Sequence, residues 1–158
     1  MLKLKRAKIF EKAVELFYSM QKKTCKKEIK KSLTKLMRKY EKIEINDIGH
    51  EITFHTRPIH IKYDKHLYNI GKIRVTLEIG YIKNYIYFDK FLGKDIIHPH
   101  IEFGEACFGN LNLILQTMLK EGNLIGALHL VHKFLHSYNA VNAYENINNW
   151  PKLCKKRQ

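Results

Sequence analysis

Apolar side chains recur along this chain with two different periods, and the switches between them divide it into three stretches. Residues 3–21 place Phe10, Ala13, Val14, Phe17 and Met20 at helical spacing. Ile29, Leu33, Leu36, Met37 and Tyr40 repeat the pattern after Thr24, a residue suited to cap or break a helix. The spacing predicts helix on both sides of Thr24, either as two helices or as one long bent helix. From Lys42 the pattern turns to alternating and β-branched runs at 42–47, 51–56, 58–63, 71–79 and 84–89, punctuated by Gly49, Pro58, Asp64-Lys65, Gly71 and Gly80. Short strands with short connections predict an antiparallel meander. After Asn110 the helical period returns in Leu111, Ile114, Leu115, Met118 and Leu119, closed by Gly122 as a C′ residue. Asn123 is placed to cap a further helix carrying Leu124, Ala127, Leu128, Val131, Leu135 and Tyr138. The fold class expected is α+β: an N-terminal helical region, an antiparallel β-meander, a cysteine-bearing loop and C-terminal helices packed on one sheet face.

Charge follows the same divisions. The chain of 158 residues has a formal net charge of +14. Residues 1–42 hold 15 Lys/Arg against 4 Asp/Glu, and residues 152–158 add four more cations with no acid. The intervening residues 43–151 are nearly neutral, with 10 basic and 11 acidic side chains. We therefore expect a basic helical arm (1–42), an α+β domain (43–151) and a basic tail (152–158). Such polarity favours an acidic partner. Residues 1–22 mix lysine with apolar residues and contain no continuous apolar run, so no signal peptide is expected, and no window is apolar enough for a membrane span. Cys25, Cys107 and Cys154 are unpatterned, which points to a reducing, cytoplasmic setting.

The stretch with chemical content is His98–Asn110, HPHIEFGEACFGN. A stiff His98-Pro99-His100 tripeptide precedes Cys107 by seven residues, and Gly104 and Gly109 flank the thiol where the backbone must turn. A nucleophilic cysteine on a loop, beside imidazoles placed to move a proton, is one chemistry that suits these residues. This motif, set after a helical N-terminus and a β-meander and before further helices, resembles the ubiquitin-conjugating enzyme family and its divergent prokaryotic and phage relatives. The resemblance covers residues 40–150 in topology and His98–Asn110 in motif. It implies that Cys107 carries a ubiquitin-like modifier as a thioester received from an activating enzyme and passes it to an amine. It implies further that His98 and Pro99 hold the flap and that His100 stands where the family has an oxyanion-supporting asparagine, with Asn110 as a second source of an amide. The Tyr-Pro-Phe and Pro-Pro signatures of that family are missing before the flap.

Other readings stand beside this one. Cys107 next to Phe108 also suits a small buried core residue. The lysines Lys22, Lys23, Lys26, Lys27, Lys30 and Lys31 suit docking of the activating enzyme, by the same resemblance, or nucleic-acid phosphates, which need only cationic side chains. They equally suit a solvated helix face. His129, His132 and His136 share one helix face at ligand-like spacing, but no metal is expected there, because the set lies opposite the apolar stripe. No phosphate loop, dinucleotide fingerprint, nucleophile elbow or zinc-protease motif occurs, and no cofactor is expected.

Overall fold

A computed structural model describes residues 2–20, 25–46, 50–80, 84–89 and 95–153, with the side chains of 2–6 and 20 excepted. Expectations placed on Thr24, Lys22, Lys23, Gly49, the first residues of the loop Phe91–Gly104 and Cys154 lie outside those residues. The chain is α+β. Helices α1 (Leu2–Met20) and α2 (Lys26–Met37) precede strands β1 (Tyr40–Asn46), β2 (Glu51–Thr56), β3 (Ile59–Tyr63), β4 (His66–Gly71), β5 (Arg74–Ile79) and β6 (Asn84–Asp89). Three short strands follow, β7 (Ile96–His98), β8 (Ile101–Glu102) and β9 (Glu105–Ala106), then α3 (Leu111–Lys120) and α4 (Leu124–Phe134).

Four strands form one antiparallel sheet in the order β1-β2-β5-β6. Its register sorts the side chains by face. Ile43, Phe54, Val75 and Phe88 make one cross-strand row, and Ile45, Ile52, Leu77 and Ile86 the next. Those rows share a single core with Val14 and Phe17 of α1, Leu33 of α2, Leu119 of α3 and Leu128 of α4. The opposite face carries Glu44, Thr53, Thr76 and Tyr87 in register, with the two threonine hydroxyls 3.1 Å apart. Period-two alternation thus places the apolar and polar rows without further instruction.

The predicted meander is interrupted. Strands β3 and β4 form a separate two-stranded hairpin outside the four-stranded sheet, and the run expected as one strand over 71–79 is broken at Lys72-Ile73. Pro58 has no N–H to continue a ladder. Asp64 and Lys65 both take positive φ (43° and 62°), the pair of left-handed residues that closes a two-residue hairpin. The tail extends this hairpin, because the Asn69 N–H donates to the Pro151 carbonyl and the Leu153 N–H donates to the Leu67 carbonyl.

The basic stretch 1–42 is not a free arm. Ala13, Val14, Phe17, Ile29, Leu33 and Leu36 are all buried, and the expected division between residues 42 and 43 falls inside β1. Helix α3 ends and α4 begins where their polar residues dictate, whereas α4 stops at Phe134, so Leu135 and Tyr138, expected on it, lie beyond its end. Gly122 takes φ 73° past the end of α3, and the Asn123 side chain accepts from the Gly126 N–H at 3.1 Å. Asn84 of β6 donates to the last-turn carbonyl of Leu119 at 2.8 Å, fixing α3 against the sheet edge.

Candidate functional site

Strands β7, β8 and β9 form a small antiparallel sheet whose two turns hold the sequence motif. Pro99-His100 connects β7 to β8, and Phe103-Gly104 connects β8 to β9 with φ of 48° and 81°. The second turn is a two-residue hairpin loop of the kind that requires positive φ at both positions. Gly104 is fixed there for a second reason. Its carbonyl accepts from the Phe88 N–H at 3.1 Å, and a Cβ at this position would stand 2.9 Å from the Phe88 oxygen. Gly104 thereby ties the hairpin to β6. Gly109, at φ 53°, turns the chain from the cysteine segment into α3.

Both motif histidines are buried, His98 at 0 % and His100 at 3 % exposure. Their hydrogen bonds define their tautomers. The His100 backbone N–H donates to His98 Nδ1 at 3.1 Å, so the His98 proton sits on Nε2, which lies 3.2 Å from the Leu135 carbonyl. The Asn139 N–H donates to His100 Nε2 at 2.9 Å, so its proton sits on Nδ1, 3.1 Å from the Asn142 carbonyl. Burial pushes the His100 pKa below the ordinary value, against the raising effect of the Asn142 carbonyl. Phe134 and Tyr138 pack on its ring, at 5.9 Å and 5.6 Å between centroids. Pro99, also buried, accepts the Tyr144 N–H at 2.8 Å through its carbonyl. The tripeptide is therefore the joint that holds the loop 137–146 against the β7–β9 sheet.

Cys107 lies on the other side of that joint. Its N–H donates to the His100 carbonyl at 2.9 Å, and its side chain is half-buried. It opens on a cavity of about 200 Å³ whose lining includes His100, Asn110, Phe134, Ser137, Asn139 and Asn142. Phe108 packs beside it against Phe134, their rings tilted with centroids 4.6 Å apart. Tyr144 stands nearby; burial first, and then its acidic neighbours, raise its phenol above the ordinary value. Three apolar side chains from the neighbouring segments are strongly exposed. Phe103 at the hairpin tip is 73 % exposed, Leu113 at the start of α3 is 78 % and Val141 in the loop is 88 %.

The structure thus gathers His100, Cys107, Gly109 and Asn110 about one cavity, with His98, Pro99 and Gly104 as supports behind it. Sequence reasoning missed Ser137, Asn139, Asn142 and Tyr144. The signal available was the run of asparagines from Asn139 to Asn149, which marks turn geometry but not what the turns enclose. The lysines lie elsewhere. Lys26 pairs with Glu15, and Lys30 lies 2.8 Å from Glu11, so both join α2 to α1. Lys27 and Lys31 project to solvent. Among the described residues no three of His, Cys, Asp and Glu come together to hold a metal ion, and no helix is long and apolar enough to cross a membrane. No family model, no curated protein and no solved structure matches this chain, so the reading of the site rests on its own residues.

Proposed function

We propose that the chain is a ubiquitin-conjugating-like carrier that forms a thioester between Cys107 and a ubiquitin-like modifier and transfers it to an amine. The observation that carries this reading is the half-exposed Cys107 at the mouth of an amide-lined cavity, held there by a buried His98-Pro99-His100 joint. In the first step the Cys107 sulfur attacks the thioester carbonyl of the modifier on its activating enzyme. A new C–S bond forms, the Cys107 proton is lost to base, and the activating enzyme's thiol is released. In the second, a substrate amine attacks that carbonyl, a C–N bond forms, the C–S bond breaks and Cys107 leaves as a thiolate, the amine's surplus proton passing to it or to solvent.

Both steps build negative charge on the carbonyl oxygen, which needs hydrogen-bond donors. His100 has its single N–H committed to Asn142, so the donor role passes to the side-chain amides of Asn110, Asn139 and Asn142 on the cavity wall. His98, Pro99 and His100 act as positioning residues. The test is mass analysis under non-reducing conditions of protein from its native host. Wild type should carry a thiol-labile adduct, and Cys107→Ser a thiol-resistant oxyester of the same modifier. No adduct on either form, with conjugates still made in the host, would overturn the reading.

A second reading rests on the same commitment of His100. If the cavity amides do not supply donors, the protein is a non-catalytic adaptor that binds a partner or nucleic acid through its basic helices, of which Lys27 and Lys31 are exposed.

A further inference from the structure

Helix α2 packs on α4, and where they meet the surface gathers like charges. Lys35 and Lys39 come from α2 and the turn after it, and His129, His132, Lys133 and His136 from α4 and its end. Among the described residues Lys35, Lys39 and Lys133 form no ion pair with a carboxylate, in contrast to Lys26 and Lys30 on the other side of α2. The histidines lie within the field of these cations. Burial lowers the His129 pKa first, and Lys39, Lys133 and Lys35 lower it further. Burial, then His136, Lys39 and His129, hold His132 down to about 4. The His132 and His136 rings are 4.8 Å apart, and His132 Nδ1 is buried with no hydrogen-bond partner. Tyr40 of β1 contacts the His132 ring at 5.6 Å and its own hydroxyl is equally unpartnered, while His136 Nδ1 faces the His60 carbonyl of β3 at 3.4 Å. No carboxylate is among the groups acting on either His129 or His132.

A folded chain gains nothing from bringing uncompensated cations together around half-buried imidazoles, and such clusters mark sites built for an absent anion. We infer that the α2–α4 face bearing Lys35, Lys39, His129, His132 and Lys133 binds the phosphate backbone of a nucleic acid. Lysines without aromatic platforms bind phosphate rather than bases, so the binding is sequence-independent. Exposed Lys27 and Lys31 continue the row from Lys35 along α2, each step of four residues rising about 6 Å, which gives an extended polyanion a track rather than a single pocket. Phosphate oxygens beside His129 and His132 favour their protonated forms, so binding strengthens as pH falls. The inference is independent of the thioester chemistry and places the second reading on a defined face.

The experiment is titration of a fluorescent DNA duplex and of polyglutamate with the full chain across a salt series. DNA should bind with an affinity that falls steeply with salt. The Lys35→Gln/Lys39→Gln/Lys133→Gln variant should reduce the slope of log affinity against log salt by about 2–3. Lowering the pH from about 7.5 to about 6 should tighten wild-type binding several-fold, and His129→Gln, at a half-exposed position, should shrink that gain. If the triple variant binds as wild type while Lys27→Gln/Lys31→Gln weakens binding, this face is wrong although the adaptor reading survives. If neither variant matters, or no DNA binds, the inference falls. Polyglutamate bound as tightly as DNA at equal salt would assign the face to an acidic protein and overturn the inference.

Discussion

His100 decides how the site is read, because both its nitrogens are used by backbone partners of the loop 137–146. Asparagine, the residue expected here from the family resemblance, is too short to span from the Asn139 N–H to the Asn142 carbonyl. His100→Asn should therefore cost about 1–3 kcal/mol, the penalty for leaving buried polar groups unpaired, measured as a fall in the urea midpoint. It should also make Cys107 alkylate faster in the native state, since the loop that walls its cavity loses its tether. Protonation acts at the same scale. His132 and His100 both have folded pKa values below their unfolded ones, so the neutral forms stabilise the fold. That contribution is complete above the unfolded value near 6.5 and is lost as the pH falls towards the folded value, about 4 for His132. For half-buried His132, discounted for solvent screening, the loss is about 1–2 kcal/mol. Urea midpoints compared at neutral pH and near pH 4.5 should show it, and His132→Gln should flatten the difference.

Among the elements, the β8–β9 hairpin stores a conflict between sequence and conformation. Its turn needs positive φ twice, Gly104 supplies one, and Phe103 is forced to supply the other while 73 % exposed. Phe103→Asn, which creates the Asn-Gly pair preferred in such turns, should stabilise the protein by about 0.5–1 kcal/mol in denaturant unfolding. A variant more stable yet lacking the adduct proposed for Cys107 would identify Phe103 as a contact for the proposed modifier or its acceptor, strain retained for use. Gly104→Ala should do the reverse, losing about 1–3 kcal/mol, because the new Cβ meets the Phe88 oxygen. This hairpin also shows what the sequence could and could not reveal. Helices α3 and α4, Gly122 and the Asn123 cap were legible because period and capping act within a few residues of one another. The sheet rows were legible from alternation. The independent β3–β4 hairpin was not, since Asp64-Lys65 carries no glycine to announce two positive φ values. The cavity was hidden for a related reason. It closes through His98 to Leu135 and His100 to Asn142, contacts 37 and 42 residues apart that no local pattern encodes.

At the scale of the whole molecule, the question is whether the basic N-terminal region is an appendage or part of the domain. Charge alone argued for an arm, because lysines outnumber acids there. Burial argues otherwise, since Val14 and Phe17 are at 0 % exposure and Ala13 at 1 %. Removing α1 would expose the surface these three cover, at a cost of about 4–7 kcal/mol from apolar area alone. A domain of this size has only about 5–15 kcal/mol in total. Deletion of residues 1–24 should therefore abolish the cooperative thermal transition seen by circular dichroism, and a cooperative melt in the truncated chain would show the arm to be separable after all. Lys27→Gln/Lys31→Gln, at exposed positions with no burial to lose, should leave stability within about 0.5 kcal/mol of wild type. The contrast matters for every binding experiment on this protein. Loss of partner or nucleic-acid binding after truncation would report unfolding, whereas the same loss after neutralising exposed lysines would report a surface.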